Sequence, residues 1–214
     1  HLIAETTLHH FDPTAFYDKW LRDIRETQGA AGNRWSTCAP PWYSCGRHNS
    51  PHRYAEQTDA VWTAAGTLIA WDVYLHHGDT RLIEENAETI LAHVRYLAGR
   101  HDFPLIDAVT IGDHLFVGWK EVPDPADFTL LGTAFALEQT RIAGCIAELA
   151  GDDSACQQCR TWADAYRQAL RERFYDEKNG GFGGQTADAL ALEFGFAPDE
   201  ARDRVVQHLV ADIE

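Results

Sequence analysis

Apolar residues recur at helical spacing along most of this chain, with few stretches that alternate as strands do. Leu2 to His10 reads as a helix end. Asp12-Pro13 opens the next helix, an N-cap followed by Pro at the first helical position, and Phe16, Trp20 and Ile24 then share one face to about Gln28. From Asp59 to His77 the chain is apolar nearly all round, at Ala64, Ala65, Leu68, Ile69, Trp71, Val73 and Tyr74, which predicts a helix buried on both sides. Gly78 ends it and Asp79 caps a helix from about Thr80 to Ala98 with the stripe Ile83, Ile90, Leu91, Val94 and Leu97. A helix from about Asp127 to Ala150 follows. Gly151-Asp152 repeats the turn, and another helix runs to about Phe174. Gly180 to Gly184 reads as a flexible turn, and helices from about Gln185 to Phe194 and from Pro198 to Ile213 close the sequence, with Phe194-Gly195 a looser third turn.

Two stretches interrupt this rhythm. Residues 29–57 hold three Pro, three Gly, two Cys, two Trp and two Tyr with no period, and a loop of that length in a folded domain is usually functional. Residues 99–127 are broken by Pro104, Gly112, Gly118, Pro123 and Pro125. Between these lie the β-prone runs Ala108 to Ile111 and Leu115 to Val117, a candidate short β-hairpin. The repeating unit is therefore an α-hairpin, tightly turned at one end. Stacked α-hairpins give either a solenoid or a closed α/α toroid. Long links rich in Trp, Tyr, His and Pro favour the toroid, with the long loops gathered at one end around a pocket.

Composition narrows the partners. Asp and Glu number 33 against 18 Lys and Arg, a formal charge of −15, and so acidic a surface repels nucleic acid and anionic lipid. Charged residues interrupt every window of the roughly 18 apolar residues that a membrane span needs. The chain has no Met, and it opens and stops in helical rhythm, so it reads as a piece of a longer protein. No signal segment opens it, and its compartment stays open among secreted, periplasmic and cytoplasmic. Of the five cysteines, Cys156 and Cys159 fall inside a helix and read as small helix residues. Cys38 and Cys45 bracket a loop, with their disulfide state left open. The pairs His9-His10 and His76-His77 look metal-like, but adjacent side chains on a helix diverge, so no metal site is expected. No nucleophile elbow or phosphate-binding loop occurs either.

Five segments, in order, resemble the catalytic domain of bacterial α-L-rhamnosidases, glycoside hydrolase family 78. They are Phe16 to Gln28; Ala39-Pro40; Ala65 to Tyr74 with Gly78-Asp79 and Glu84-Glu85-Asn86; Ile111-Gly112-Asp113-His114-Leu115; and Gln185 to Leu192 with Gly195. The resemblance implies an all-α fold, an (α/α)6 barrel of six hairpins, of which residues 1–214 form part of one catalytic domain truncated at both ends. It also implies hydrolysis of terminal α-L-rhamnosides with inversion, by a general acid and a general base and with no cofactor. The family's acid lies in an Asp…Arg-Asp-Glu-Arg…Trp-Thr-Gly-Asp segment before the first helix seen here, and its base would fall beyond Glu214. No catalytic residue is therefore assigned within the chain, and the isolated chain is expected to be inactive. The family's Trp-Gly-Asp-Ala is here Trp62-Thr63-Ala64-Ala65, and His114 stands where the family has a Trp after Gly-Asp.

The candidate substrate-binding residues are Trp62, Asp113, His114, Glu121, Trp119 and Trp42. An indole suits the C–H-rich face of a pyranose, so Trp62 is placed to stack on sugar; the alternative is a core Trp at the start of a buried helix. Asp113 would accept from sugar hydroxyls or cap a turn, His114 would donate to a hydroxyl or serve the fold, and Glu121 is the weaker loop carboxylate, with solvated charge as its alternative. Trp42 and Trp119 would line subsites or pin their loops, as would Tyr43, His48, His52, Arg53 and Tyr54. Trp20, Trp71 and Trp162 fall on helix stripes and read as core, and Asp72 reads as a partly buried acid of structural importance. The partners implied are a carbohydrate substrate and the remainder of the parent chain. Two other readings stand beside this one: another α/α-toroid glycosidase of trehalase-like or debranching type, and a non-catalytic helical-repeat binding module.

Overall fold

Helix ends are set by the turn chemistry of the sequence. Gly78, Gly151 and Gly195 all take left-handed backbone, with φ of 66°, 72° and 69°, which closes a helix without a Cβ penalty. The computed structural model describes residues 3–32, 60–106 and 128–213. Those residues form eight α-helices: α1 Ala4–His10, α2 Thr14–Thr27, α3 Ala65–His77, α4 Arg81–Ala98, α5 Phe128–Leu149, α6 Asp153–Phe174, α7 Gln185–Glu193 and α8 Arg202–Ile213. A 3₁₀ turn, Trp62–Ala64, leads into α3, and another, Asp199–Ala201, leads into α8. Among the described residues there is no β-strand, only an isolated bridge between Asp176 and Gly181. No helix among them is long and apolar enough to cross a membrane.

The packing alternates. α1 packs on α3, α3 on α5 and α5 on α7, while α2 packs on α4 and α4 on α6; three odd helices also pair with the even neighbour that follows across a turn, in α3–α4, α5–α6 and α7–α8. This is an inner row of odd helices backed by an outer row of even ones, the arrangement of a six-hairpin α/α barrel, of which the described helices supply part. The burial follows the sequence pattern. α3 and α5 are predominantly apolar and buried on most sides: Ile69, Ala70 and Val73 on α3 and Ala134, Ala136, Leu137, Ala143 and Ile146 on α5 are essentially inaccessible. α4 hides its predicted stripe, Ile83, Ile90, Leu91, Val94 and Leu97, together with Leu82 and the polar Asn86 and His93. Full burial of one such aliphatic side chain contributes about 1.5–3 kcal/mol, so these stripes fix which face of each helix turns inward.

Several sequence expectations shift in detail. The buried stripe of α2 is Tyr17, Leu21 and Ile24; Phe16 is 65% exposed, and Trp20 packs half-buried against the core. Asp12 acts one residue earlier than expected. Its carboxylate accepts from the Thr14 amide and hydroxyl while Pro13 takes the cap position. Asp79 similarly accepts from the Arg81 amide, with Thr80 between, whereas Asp152 caps α6 directly by accepting from Ala155. The Gly180–Gly184 turn is pinned: Phe182 is buried in the core and the Asp176 and Gly181 backbones bond across it. The free thiols of Cys156 and Cys159 lie on the buried side of α6. There Gly144 of α5 approaches so closely that a Cβ would stand 3.3 Å from the Cys159 Cβ. The candidate β-hairpin and the Cys38–Cys45 loop lie outside the described residues.

Candidate functional site

The two ends of the helical rows differ. At one end the helices are joined by the short turns at 11–13, 78–80, 150–152 and 194–198. The opposite end receives the C-termini of α2, α4 and α6 and the N-termini of α3, α5 and α7, so every long connection starts and finishes there. The described residues at that end form a set of buried polar clamps. Gln28, which follows α2, donates from Nε2 to the carbonyls of Gly32 (3.0 Å) and Thr89 (2.9 Å). Gly32 lies against α4 with φ of 87°, and a Cβ there would stand 2.2 Å from the Ala92 carbonyl oxygen. Its carbonyl meets His93 Nδ1 at 3.1 Å, and His93 Nε2 meets the Thr63 hydroxyl at 3.1 Å. A carbonyl only accepts, so Nδ1 carries the proton, and in the neutral ring Nε2 accepts from Thr63. The fully buried His93 thus joins the start of one long connection to the end of the same connection.

Trp62 stands beside this clamp, partly buried in the 3₁₀ turn before α3, at the end where a sugar-stacking ring is expected. Thr63 and Ala64 follow Trp62 in the same turn. The structure spends Thr63 on His93 and buries Ala64 completely. Gln139 on α5 donates to the Ala60 carbonyl at 2.9 Å, and the Thr133 hydroxyl accepts from the Ile106 amide at 2.9 Å, fixing both long connections onto α5. Arg100 and Asp102 pair through two bonds of 2.9 and 2.6 Å, both side chains mostly buried. On the α7–α8 hairpin, Asp188 is fully buried. One carboxylate oxygen accepts from the Phe182 amide at 2.6 Å and the other lies 2.5 Å from His208 Nδ1, so the Gly180–Gly184 turn hangs from this acid.

Asp113, His114, Trp119, Glu121 and Trp42 lie outside the described residues, as do Tyr43, His48, His52, Arg53 and Tyr54; among the proposed substrate contacts the structure places Trp62. Trp71 and Trp162 pack half-buried against the core, as expected. Asp72 lies on α3 toward the short-turn end. Burial, and then the charge of Glu5, pushes its carboxyl up to about 6. A hollow of about 560 Å³ also sits at the short-turn end, lined by Asp12, Thr14, Asp18, His77, Asp79 and Arg81. It is lined by no Trp, Tyr or Phe and lies at the other end of the helices from Trp62. Sequence reasoning missed His93, Thr63, Asp188 and His208, whose partners are 30 and 20 residues away on other helices.

Comparison with known proteins agrees with this architecture. The alpha-L-rhamnosidase of Streptomyces avermitilis is 27% identical over 218 residues, taking in 100% of this chain and 19% of the relative. One alpha-L-rhamnosidase of Formosa agariphila is 24% identical across 100% of this chain and 23% of its own. The chain thus spans about a fifth of the length of these curated relatives. The solved alpha-L-rhamnosidase from Dictyoglumus thermophilum aligns with a TM-score of 0.81 at 25% identity, over 99% of this chain and 23% of that one. The Streptomyces avermitilis structure, complexed with L-rhamnose, aligns at 0.76 with 23% identity over 98% of this chain and 19% of that one, a likeness of fold. The model of the bacterial alpha-L-rhamnosidase six-hairpin glycosidase domain matches residues 1–214, and the chain belongs to that family.

Proposed function

We propose that this chain supplies part of the barrel wall of an α-L-rhamnosidase-like glycoside hydrolase, acting on terminal α-L-rhamnosides with inversion. The observation that carries the reading is the family match along the whole chain, joined to a helical frame whose long connections all meet at one end. In an inverting glycosidase two carboxyl groups stand about 6.5–9.5 Å apart, one protonating the leaving oxygen and the other activating a water. The resemblance puts both outside these 214 residues. Within the chain the expected work is binding: Trp62 stacks on the sugar's C–H face, and the loop residues Asp113, His114, Trp119, Glu121 and Trp42 supply hydroxyl partners and subsite walls. The clamps at Gln28, His93 and Gln139 position those loops. No cofactor takes part in this reading.

The test is an assay of the whole protein containing this sequence on aryl α-L-rhamnoside, with the anomer of the released sugar followed by NMR. Release of inverted rhamnose by the whole protein, and none by the 214-residue chain alone, is expected. Cleavage of α-glucosides with no action on rhamnosides would replace this reading with the trehalase-like or debranching one.

A further inference from the structure

His9 and His10 are neighbours on α1, and His76 and His77 are neighbours on α3, so the two side chains of each pair diverge. The structure instead brings one member of each pair together. His9 Nε2 on α1 faces His76 Nε2 on α3 at 3.4 Å, with the ring planes 81° apart. His76 Nδ1 lies 2.9 Å from the Asp72 backbone carbonyl. That carbonyl can only accept, so Nδ1 carries the proton and the Nε2 of a neutral His76 presents a lone pair. Two ring nitrogens at 3.4 Å stand farther apart than the roughly 2.9–3.0 Å of a good hydrogen bond. The separation matches two imidazoles on one tetrahedral ion: with Zn–N of about 2.0–2.1 Å the two nitrogens lie about 3.3–3.4 Å apart. Glu5, one helical turn before His9 and on the same face, brings a carboxylate oxygen, and the three ligating atoms all lie within 4.8 Å of one another.

We propose that Glu5, His9 and His76 bind a single Zn²⁺-class transition-metal ion. Two imidazoles and one carboxylate are a borderline donor set that suits zinc and disfavours magnesium or calcium. The Asp72 carbonyl is the second-sphere partner that fixes the His76 tautomer and ring orientation. Glu5 and His9 are exposed, so water reaches the fourth position. The site lies at the short-turn end, away from Trp62, and its ligands come from segments 67 residues apart. Its role is therefore to fasten α1 onto α3, and it stands independently of the glycosidase reading.

Calorimetric titration of the chain with zinc chloride near neutral pH tests this, using Glu5→Gln, His9→Gln and His76→Gln, with His10→Gln and His77→Gln as controls. One equivalent of Zn²⁺ is expected to bind the unaltered chain and raise its melting temperature, while Mg²⁺ does neither. Each ligand substitution should weaken that equivalent by at least about tenfold, and the controls should leave it unchanged. Glu5 and His9 are surface positions, so circular dichroism of those two variants should match that of the unaltered chain. An absence of saturable Zn²⁺ binding below about 100 µM would overturn the proposal. So would an equivalent that persists at full affinity in both His9→Gln and His76→Gln.

Discussion

Gly32 and Gly78 share left-handed backbone, yet they carry different loads. At Gly78 an added Cβ meets open space, so Gly78→Ala pays only the conformational penalty, about 1 kcal/mol. At Gly32 the same Cβ would also lie 2.2 Å from the Ala92 carbonyl oxygen, and the loss should exceed about 2 kcal/mol. Paired urea melts of the two variants should show that ordering; equal losses would mean the Gly32 approach to α4 relaxes freely. Cys159 gives a second check. Burial, and then neighbouring Cys156, pushes its thiol up to about 11, which leaves about one thiolate in a thousand at pH 8. Mass mapping after iodoacetamide should find Cys159 untouched in the native chain and fully modified in urea. The sequence made the inert helical cysteines and the turn glycines legible, because each signal is local. The Thr63–His93, Asp188–His208 and His9–His76 pairs gave no such signal, since each joins residues on separate elements that only packing brings together.

Helices with a plain pattern were read to within a few residues, and the failures have physical causes. In α2 the apolar residues Phe16, Tyr17, Trp20, Leu21 and Ile24 spread over an arc of about 140°, wider than one three-residue stripe, and packing against α3 and α4 buried the side through Tyr17 rather than the Phe16 edge. The turn between α6 and α7 looked flexible because it holds four glycines, but Phe182 and the buried Asp188 hold it. Asp188→Ala removes the acceptor of the Phe182 amide and the partner of His208, and should cost about 2–4 kcal/mol. Lys178 is exposed within that turn, so limited trypsin digestion should cut there faster in Asp188→Ala than in the unaltered chain. Asp152→Ala, which loses an exposed cap, should cost about 1 kcal/mol and leave the cleavage rate at Lys178 unchanged.

Large apolar side chains stay exposed at the edges of the helical row. Ile3, Phe11 and Phe16 on or beside α1 and α2, and Val206 and Val210 on α8, account for much of the exposed large apolar surface among the described residues. Apolar faces of this kind drive self-association. Light scattering of the isolated 214-residue chain should therefore report concentration-dependent oligomers, reduced when Phe16 and Val210 are both replaced by Lys. A monodisperse monomer at all concentrations would favour a self-contained helical module. The six-hairpin frame was readable because hairpin repetition and family motifs run along the whole sequence. The proposed substrate contacts are named from the sequence only as residue types, since loops carry no periodicity from which to place a side chain. The separation of the two ends has a consequence for how such a protein diversifies. Three-residue turns such as 78–80 and 150–152 leave almost no room for insertion without breaking a helix pair, whereas Gly32, Ala60 and Ile106, where long connections meet the helices, are clamped. Variation in length and chemistry between Gly32 and Ala60, or between Ile106 and Phe128, is thereby insulated from the helical frame. Changes in descendants of this chain should accumulate between those anchors, with the joints at Gly78 and Gly151 inherited almost unaltered.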